Sequence, residues 1–455
     1  MKLLSIKEIL CFFVFYIFFF HTSFFLSATE SSSQDCVLSI ITPHPENTRT
    51  EFEAQFIEWH QKKYGRKIFL DWRNVGGASD IIRFIRSEFA AKPDGIGLDI
   101  IFGCGIEPYY DLKREGLLAF CDLPDDILKA IPQYCQGIPI WDKDQYWFGC
   151  TIASFGILHN LRVIYYNDLP LASQWKELTN PALCDWIGIS DPRNSGSMYT
   201  MLEAILQFYG WEEGWKILAG IAANTATIGR YATDPPRQTT YGDTASSICI
   251  DFYGSTQVTA VGKTNMSFII PKDFTILSPD GIAMLKGGKN PLEANHFIEF
   301  VLGEKGQKLW MFPAGAPGGP TQSTLLRMPV RENIYRDYPE YCPLENSPYI
   351  TNNSKVQFKF NNFVSSRRRS LVSALIGTQL IDTHQELRKV WKAAIQTSKT
   401  KEVLIQIGTP LITEKEMNHL LEKEWQDPLQ QNRLKVLWQI KAQERYQTIL
   451  KQLSR

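Results

Sequence analysis

The sequence predicts two α/β units joined by extended segments and followed by a block of helices. Three features carry this expectation. A strand, a glycine- or proline-rich loop and a helix succeed one another three times between residues 37 and 116; the pattern resumes after two extended segments within 148–160; and from residue 350 it gives way to long amphipathic helices. Alternation of this kind predicts parallel strands with crossover helices, and ligands then sit at the carboxyl ends of the strands.

Residues 37–41 read as a buried strand that stops at Thr42-Pro43-His44-Pro45, and Asn47 opens a helix that runs to about Tyr64 with Gly65 as its stop. Residues 67–71 form a second strand, ending in Asn74-Val75-Gly76-Gly77-Ala78-Ser79, after which Ile81, Ile82, Ile85 and Phe89 trace one helical face. A third strand, 98–102, leads through Gly103-Cys104-Gly105 into a helix ending near Gly116. Extended segments at 148–152 and 156–160 are broken at Ala153-Ser154-Phe155, where the chain leaves the first unit. The second unit holds a helix at 211–223, a strand at 248–252 ending in Tyr253-Gly254, and an extended segment at 266–270 that stops at Pro271-Lys272-Asp273. A strand at 281–285 then crosses back, and helices at 291–302 and 307–312 cover the sheet.

The most informative stretch is 186–210. Trp186, Ile187 and Ile189 read as a buried strand, Pro192 and Gly196 mark a sharp loop, and Met198, Met201, Leu202, Ile205, Leu206 and Tyr209 share one helical face. The loop therefore delivers a helix N-terminus, whose free N–H groups beside Ser195 or Ser197 form an anion site. Ser197 also reads as a plain N-cap. Beyond residue 350, Leu371, Leu375, Ile381, Leu387 and Trp391 are expected on one face, Thr413 with Glu416 makes a capping box, and Leu434, Leu437, Trp438, Ile449, Leu450 and Leu453 mark a last helix. From Arg367 onward there are 16 basic and 9 acidic residues, a charge of +7 that reads as a solvated helical face or a membrane-surface contact.

At 455 residues the chain exceeds one compact core. Its 44% hydrophobic and 21% charged content is that of a folded protein, which excludes disorder as the explanation. Lys2 and Lys7, an apolar run over 9–26 and Ser27-Ala28 have the order of a secretory signal peptide at 1–28, and the length of the run also fits an uncleaved anchor. Without it, 46 basic and 47 acidic side chains remain, so the net charge of −1 argues against nucleic acid as a partner. Eight cysteines remain, too few in over 400 residues for a disulfide scaffold, and their pairing is open.

The ordered set of a His-Pro loop, Gly76-Gly77-Ala78-Ser79, Phe102-Gly103, Phe155-Gly156-Ile157 with Asn160, Asp191-Pro192-Arg193-Asn194-Ser195-Gly196, Pro271-Lys272-Asp273, Ala294 with Phe297, and Gly306-Gln307 resembles the extracytoplasmic solute-binding proteins of ABC importers over about 36–320. The branch it is most similar to holds ferric-iron, phosphonate and hexose-phosphate binders. The resemblance implies a two-lobe periplasmic-binding-protein fold of type II, with two crossing strands and, here, a C-terminal α-helical extension. The expected parts are lobe 1 at 36–150, lobe 2 at 151–266, a return to lobe 1 at 267–349 and the extension at 350–455. The lobes would close on a small anionic ligand, most simply a sugar phosphate or related phosphate ester. Thr42, His44, Gly77, Ser79, Gly103, Ser154, Ser195, Gly196, Ser197, Asp251, Tyr253 and Asp273 are the candidate ligand-binding residues. Helix ends and hydroxyls would hold the dianion, while Asp251 and Asp273 would take ligand hydroxyls or serve only as caps. Trp72 and Tyr253 would pack on a ligand face or in the core.

Ferric iron is the second ligand reading, with His44 and Tyr253 as metal ligands. Binders of that branch place two adjacent tyrosines where this chain has Phe252-Tyr253. No cofactor is expected, and no phosphate loop, nucleophile elbow or zinc-protease motif indicates an enzyme. The resemblance implies a monomer in the periplasm that serves a membrane permease with its ATPase, or else a sensor module for a membrane histidine kinase. N-terminal sequencing of the exported protein is expected to begin just after Ala28; a chain that still starts at Met1 and stays in the membrane fraction contradicts the cleaved leader.

Overall fold

The computed structural model describes residues 36–342, 347–349 and 358–454. The leader expected at 1–28 and the start of the extension at 350 lie outside the described residues. The chain opens with β1 (Cys36–Ile41), α1 (Glu46–Tyr64), β2 (Ile68–Arg73), α2 (Ala78–Ala91), β3 (Ile100–Phe102) and α3 (Glu107–Arg114). These are the three expected repeats, and the four apolar residues of the α2 face are all buried. After short strands β4 (Leu118–Ala119), β5 (Tyr134–Cys135) and β6 (Ile138–Pro139) come β7 (Phe148–Ala153) and β8 (Phe155–Asn160), separated by Ser154 alone. Then follow β9 (Ile187–Ser190), α4 (Gly196–Tyr209), α5 (Trp211–Asn224), β10 (Thr225–Gly229), α6 (Asp234–Tyr241), β11 (Ser246–Ile250), α7 (Asp251–Val261) and β12 (Met266–Ile269). The return runs through β13 (Ser278–Leu285), α8 (Pro291–Leu302), α9 (Glu304–Met311) and β14 (Met328–Pro329).

Two sheets of like design result. In the first the order is β14-β7-β13-β3-β1-β2; in the second it is β10-β9-β11-β8-β12. Each has a parallel trio, β2-β1-β3 and β10-β9-β11, flanked by antiparallel strands. Those antiparallel strands are the crossings: β7 pairs β13 in the first sheet and β8 pairs β12 in the second. Each sheet with its helices forms one lobe. The crossings are laced together, since Phe155 N donates to Thr275 Oγ1 at 3.2 Å and that hydroxyl donates to Phe155 O at 2.8 Å.

Two expectations shift. The strand expected at 248–252 ends at Ile250, and Asp251, Phe252 and Tyr253 open α7 instead. The Asp251 carboxylate accepts from Phe252 N at 2.7 Å, a local bond that competes with strand pairing. The single face expected from Leu371 to Trp391 is split into α10 (Asn362–Ile376) and α11 (His384–Gln396). A wide turn at Gly377–Ile381, closed by Asp382 N donating to Gly377 O at 2.8 Å, rotates the second half and leaves Ile381 half-buried.

The extension continues with α12 (Thr400–Gly408), α13 (Glu414–Glu422), capped by Thr413 and Glu416 as expected, and α14 (Pro428–Leu453). It has no core of its own. Leu371, Leu375, Trp391 and Trp438 pack in one cluster with Ile205, Trp215 and Leu218 of the second lobe, each buried leucine contributing about 1.5–3 kcal/mol. Trp391 Nε1 donates to Asn224 Oδ1 at 2.7 Å across that seam. Outside this packing Leu429, Val436, Leu437 and Ile440 of α14 remain exposed, so Leu437 does not join the buried face. The eight cysteines among the described residues are all unpaired, and most pack as small apolar groups. No helix among the described residues is long and apolar enough to cross a membrane.

His159 of β8 sits opposite Ser246 of β11, where Nδ1 meets Ser246 Oγ at 2.8 Å and Nε2 meets Ala172 O at 2.9 Å. Burial lowers its pKa to about 4. The folded state keeps the ring neutral while the unfolded chain takes up a proton below about 6.5, so stability is lost as pH falls from about 6.5 to about 4. Urea unfolding at pH 7.5 and 4.5 is expected to show about 3 kcal/mol more loss in the wild type than in His159→Gln.

Candidate functional site

Four loops at the carboxyl ends of strands face one another between the sheets and enclose a cavity of about 480 Å³. From the first lobe come His44, Gly77, Cys104 and Gly105; from the second come Ser195, Gly196, Ser197, Phe252 and Tyr253. The N-termini of α2 and α4 meet across it: a Cβ on Gly77 would stand 3.0 Å from Asn194 O, and one on Gly196 3.3 Å from Ala78 Cβ. Only glycine lets two helix ends of opposite lobes approach this closely. Each end presents free N–H groups and a partial positive charge.

The α4 loop is shaped by its own side chains. Asp191 Oδ1 accepts from Arg193 N at 2.9 Å, and Ser195 Oγ accepts from Met198 N at 3.3 Å, so the N-cap is Ser195 rather than Ser197. Ser197 is left at the cavity with its hydroxyl 3.3 Å from that of Ser195. Arg193 grips Asp191 through Nε at 3.0 Å and forks to Asp382 of the extension at 2.8 and 2.9 Å.

At the other end lies a buried charge cluster. His44 Nε2 donates to Asp280 Oδ2 at 3.0 Å, Arg327 Nη1 donates to the same oxygen at 3.1 Å, and Gly105 N donates to Oδ1 at 2.8 Å. Burial by itself would raise the Asp280 pKa, but His44, Arg327 and the Gly105 N–H hold it down at about 2. Burial and the neighbouring guanidinium push His44 below its usual range, so the ring is neutral and Arg327 carries the charge opposite Asp280. His44 Nδ1 has no protein partner among the described residues. Gly103, at φ +106°, makes room for this ring, since its Cβ would stand 3.1 Å from Nε2. The Arg327 side chain, 3% exposed, lies with its guanidinium carbon 3.7 Å over the Phe252 ring of the other lobe.

Of the twelve candidates, His44, Gly77, Ser195, Gly196, Ser197 and Tyr253 line the cavity, and six do not. Thr42 is buried and its hydroxyl accepts from His44 N at 3.0 Å, shaping the loop from behind. Ser79 lies in the first turn of α2 and Gly103 behind Cys104, both outside the lining. Ser154 and Asp251 bond each other, the carboxylate accepting from Ser154 N at 2.7 Å and Oγ at 2.9 Å, so Asp251 ties α7 to the crossing and lies outside the lining. Burial raises its pKa to about 6 against those bonds. Asp273 accepts from Trp175 N and Phe274 N at 3.1 Å each and from Tyr209 Oη, on the far side of the second lobe. Trp72 donates to Glu53 at 2.8 Å and packs on Phe297.

Sequence reading missed Glu107, Asp280, Arg327 and Arg369, all of which line the cavity. Three lie where no loop motif points. Arg369 stands in a visible basic run, Arg367-Arg368-Arg369, whose members divide: Arg367 pairs with exposed Glu422, Arg368 with buried Glu203, and Arg369 with Glu107 at the cavity. Among the described residues no three His, Cys, Asp or Glu side chains gather to hold a metal ion.

Residues 109–331 match the family model described as bacterial extracellular solute-binding protein. The phosphoglycerate transport regulatory protein PgtC of Salmonella typhimurium is 27% identical over 159 residues, 35% of this chain. The match spans 39% of that relative's length. Among solved structures, the periplasmic binding protein AfuA of Actinobacillus pleuropneumoniae with exogenous fructose-6-phosphate is 19% identical, covering 79% of this chain and 98% of that one at a TM-score of 0.58. The apo ferric ion-binding protein A of Pasteurella haemolytica is 17% identical, with 75% and 96% covered and a TM-score of 0.54. The resemblance to extracytoplasmic solute-binding proteins is thus borne out, as is the two-lobe fold.

Asp280→Ala would leave Arg327 buried beside a neutral imidazole with no countercharge. Urea unfolding at pH 7.5 is expected to show a loss of about 3–5 kcal/mol, the range for breaking one side of a buried ion pair.

Proposed function

We propose that this chain is the extracytoplasmic solute-binding component of an ABC-type importer, and that its ligand is a small phosphate ester such as a sugar phosphate. One observation carries the reading: two helix N-termini from opposite lobes and the guanidinium groups of Arg327 and Arg369 surround a single cavity between two sheets joined by two crossings. Such a surface is complementary to an anion with several acceptor oxygens. The fructose-6-phosphate in AfuA and the phosphoglycerate in the name of PgtC support the same ligand class.

Ferric iron fits the chemistry less well. His44 and Tyr253 do line the cavity, but the Arg327 guanidinium stands 3.2 Å from His44 Nε2, where a trivalent cation would be repelled. Burial also raises the Tyr253 pKa, which disfavours a phenolate ligand. A sensor for a membrane kinase is the second functional reading, favoured by the word regulatory in the name of PgtC; affinity capture from membranes distinguishes a permease from a kinase.

Titration calorimetry with fructose-6-phosphate, 3-phosphoglycerate, inorganic phosphate and ferric citrate tests the ligand class. Saturable binding of the esters is expected, weakened at least about 100-fold in Ser197→Asp by a like charge at the α4 N-terminus. Tight ferric binding with a tyrosinate charge-transfer band that vanishes in Tyr253→Phe would replace the phosphate ester with iron.

A further inference from the structure

The residues matched by the solute-binding family model end at 331, yet one residue of the cavity lining, Arg369, comes from beyond them. Helix α10 is sewn to α4 of the second lobe: Tyr199 Oη donates to Ser365 O at 2.8 Å, and Arg368 Nε donates to Glu203 Oε1 at 2.9 Å. The same helix grips α3 of the first lobe, where Ser365 Oγ and Arg369 Nη1 donate to Glu107 at 3.0 and 2.9 Å and Ser366 Oγ donates to Asp111 at 3.2 Å. It therefore touches both lobes beside the cavity, and Arg369 is its residue in the lining.

The two ends of that guanidinium have different surroundings. Nη1 is held by Glu107. Nη2 lies 3.0 Å from where a Cβ on Gly196 would stand, at the first residue of α4, and has no protein acceptor among the described residues. A cation beside the positive end of a helix is unfavourable unless an anion lies between them. Glu107 offsets it only in part: the carboxylate is 5% exposed, and desolvation raises its pKa against the pull of Arg369. The Nδ1 of buried His44, a residue of the same lining, also lacks a protein partner among the described residues, and with the proton on Nε2 it is an acceptor, suited to a hydroxyl of the ligand and not to its phosphate.

We propose that Arg369 is a ligand-binding residue, so that the C-terminal helices complete the cavity by placing a guanidinium opposite the α4 N-terminus to hold the ligand's phosphate. This rests on the phosphate-ester reading. The N–H groups of Gly196 and Ser197 take the phosphate from one side and Nη2 from the other, which favours a dianionic monoester over a singly charged diester. Because Arg369 also holds Glu107 of the first lobe, the phosphate and the approach of the lobes act on one side chain.

Calorimetry on the full chain with inorganic phosphate and fructose-6-phosphate tests this. Arg369→Gln is expected to weaken both by about 30-fold, the scale of one charge-assisted contact. Arg367→Gln, which alters an exposed pair with Glu422, is expected to leave both within about twofold. Glu107→Gln frees Arg369 from its countercharge and is expected to tighten phosphate binding severalfold, a sign that a purely structural role of the pair does not give. If the wild type binds and Arg369→Gln binds within about twofold of it, the inference fails while the phosphate-ester reading stands. A wild type that binds neither probe overturns both. Should Arg369→Gln not fold, Arg369→Lys decides: it keeps the charge but loses the planar fork, so at least about a fivefold loss supports the role and equal affinity overturns it.

Discussion

A carboxylate taken out of water must be met by a cation or by hydrogen-bond donors, and around this cavity arginine meets that need four times. Asp280 is matched by Arg327, Glu107 by Arg369, Glu203 by Arg368 and Asp191 by Arg193. Glu203, at 0% side-chain exposure on α4, is the most demanding, because a lone charge there would cost several kcal/mol. Its answer lies on α10, 165 residues along the chain. The extension is thereby bound to the helix whose N-terminus faces the cavity, and Arg193, forked between Asp191 and Asp382, binds the same loop from its other side. Apolar packing supplies most of the seam's stability, and the ion pairs set its register.

The crossings depend on the same balance. Ser154 is the single residue between β7 and β8, and its N–H and hydroxyl both donate to Asp251. Asp251 opens α7, so the helix that presents Phe252 and Tyr253 to the cavity is tied directly to the point where the chain changes lobes. Hinges of binding proteins absorb rotation at such points, and here the ring of Phe252 also stacks under Arg327 of the facing lobe. The two large apolar clusters do not bridge the lobes: one lies in the first lobe, and the other joins the second lobe to the extension.

Much of this was legible in the chain because it is local. Strand-loop-helix succession, the Gly65 stop, the Thr413 capping box and the apolar stripe of α2 depend on spacings of a few residues, and the structure has each of them. So do the loops that reach the cavity, since a loop after a parallel strand opens toward its carboxyl end. Direction within a loop is another matter. Thr42 and His44 are two residues apart, yet one turns inward to brace the backbone while the other reaches Asp280. Asp251 and Asp273 both follow strands, as a ligand-binding aspartate would, but nearer backbone donors claim both.

By itself the sequence determined the two α/β units, the helical extension and which strand ends meet at the cavity, because periodicity and turn chemistry act over short range. Only the tertiary structure decided which charges face the cavity. Arg367, Arg368 and Arg369 are chemically alike and adjacent, but helical rotation of about 100° per residue sends one to solvent, one to a buried glutamate and one to the cavity. Nothing local distinguishes them; their partners Glu422, Glu203 and Glu107 do, and those come together only when distant helices pack.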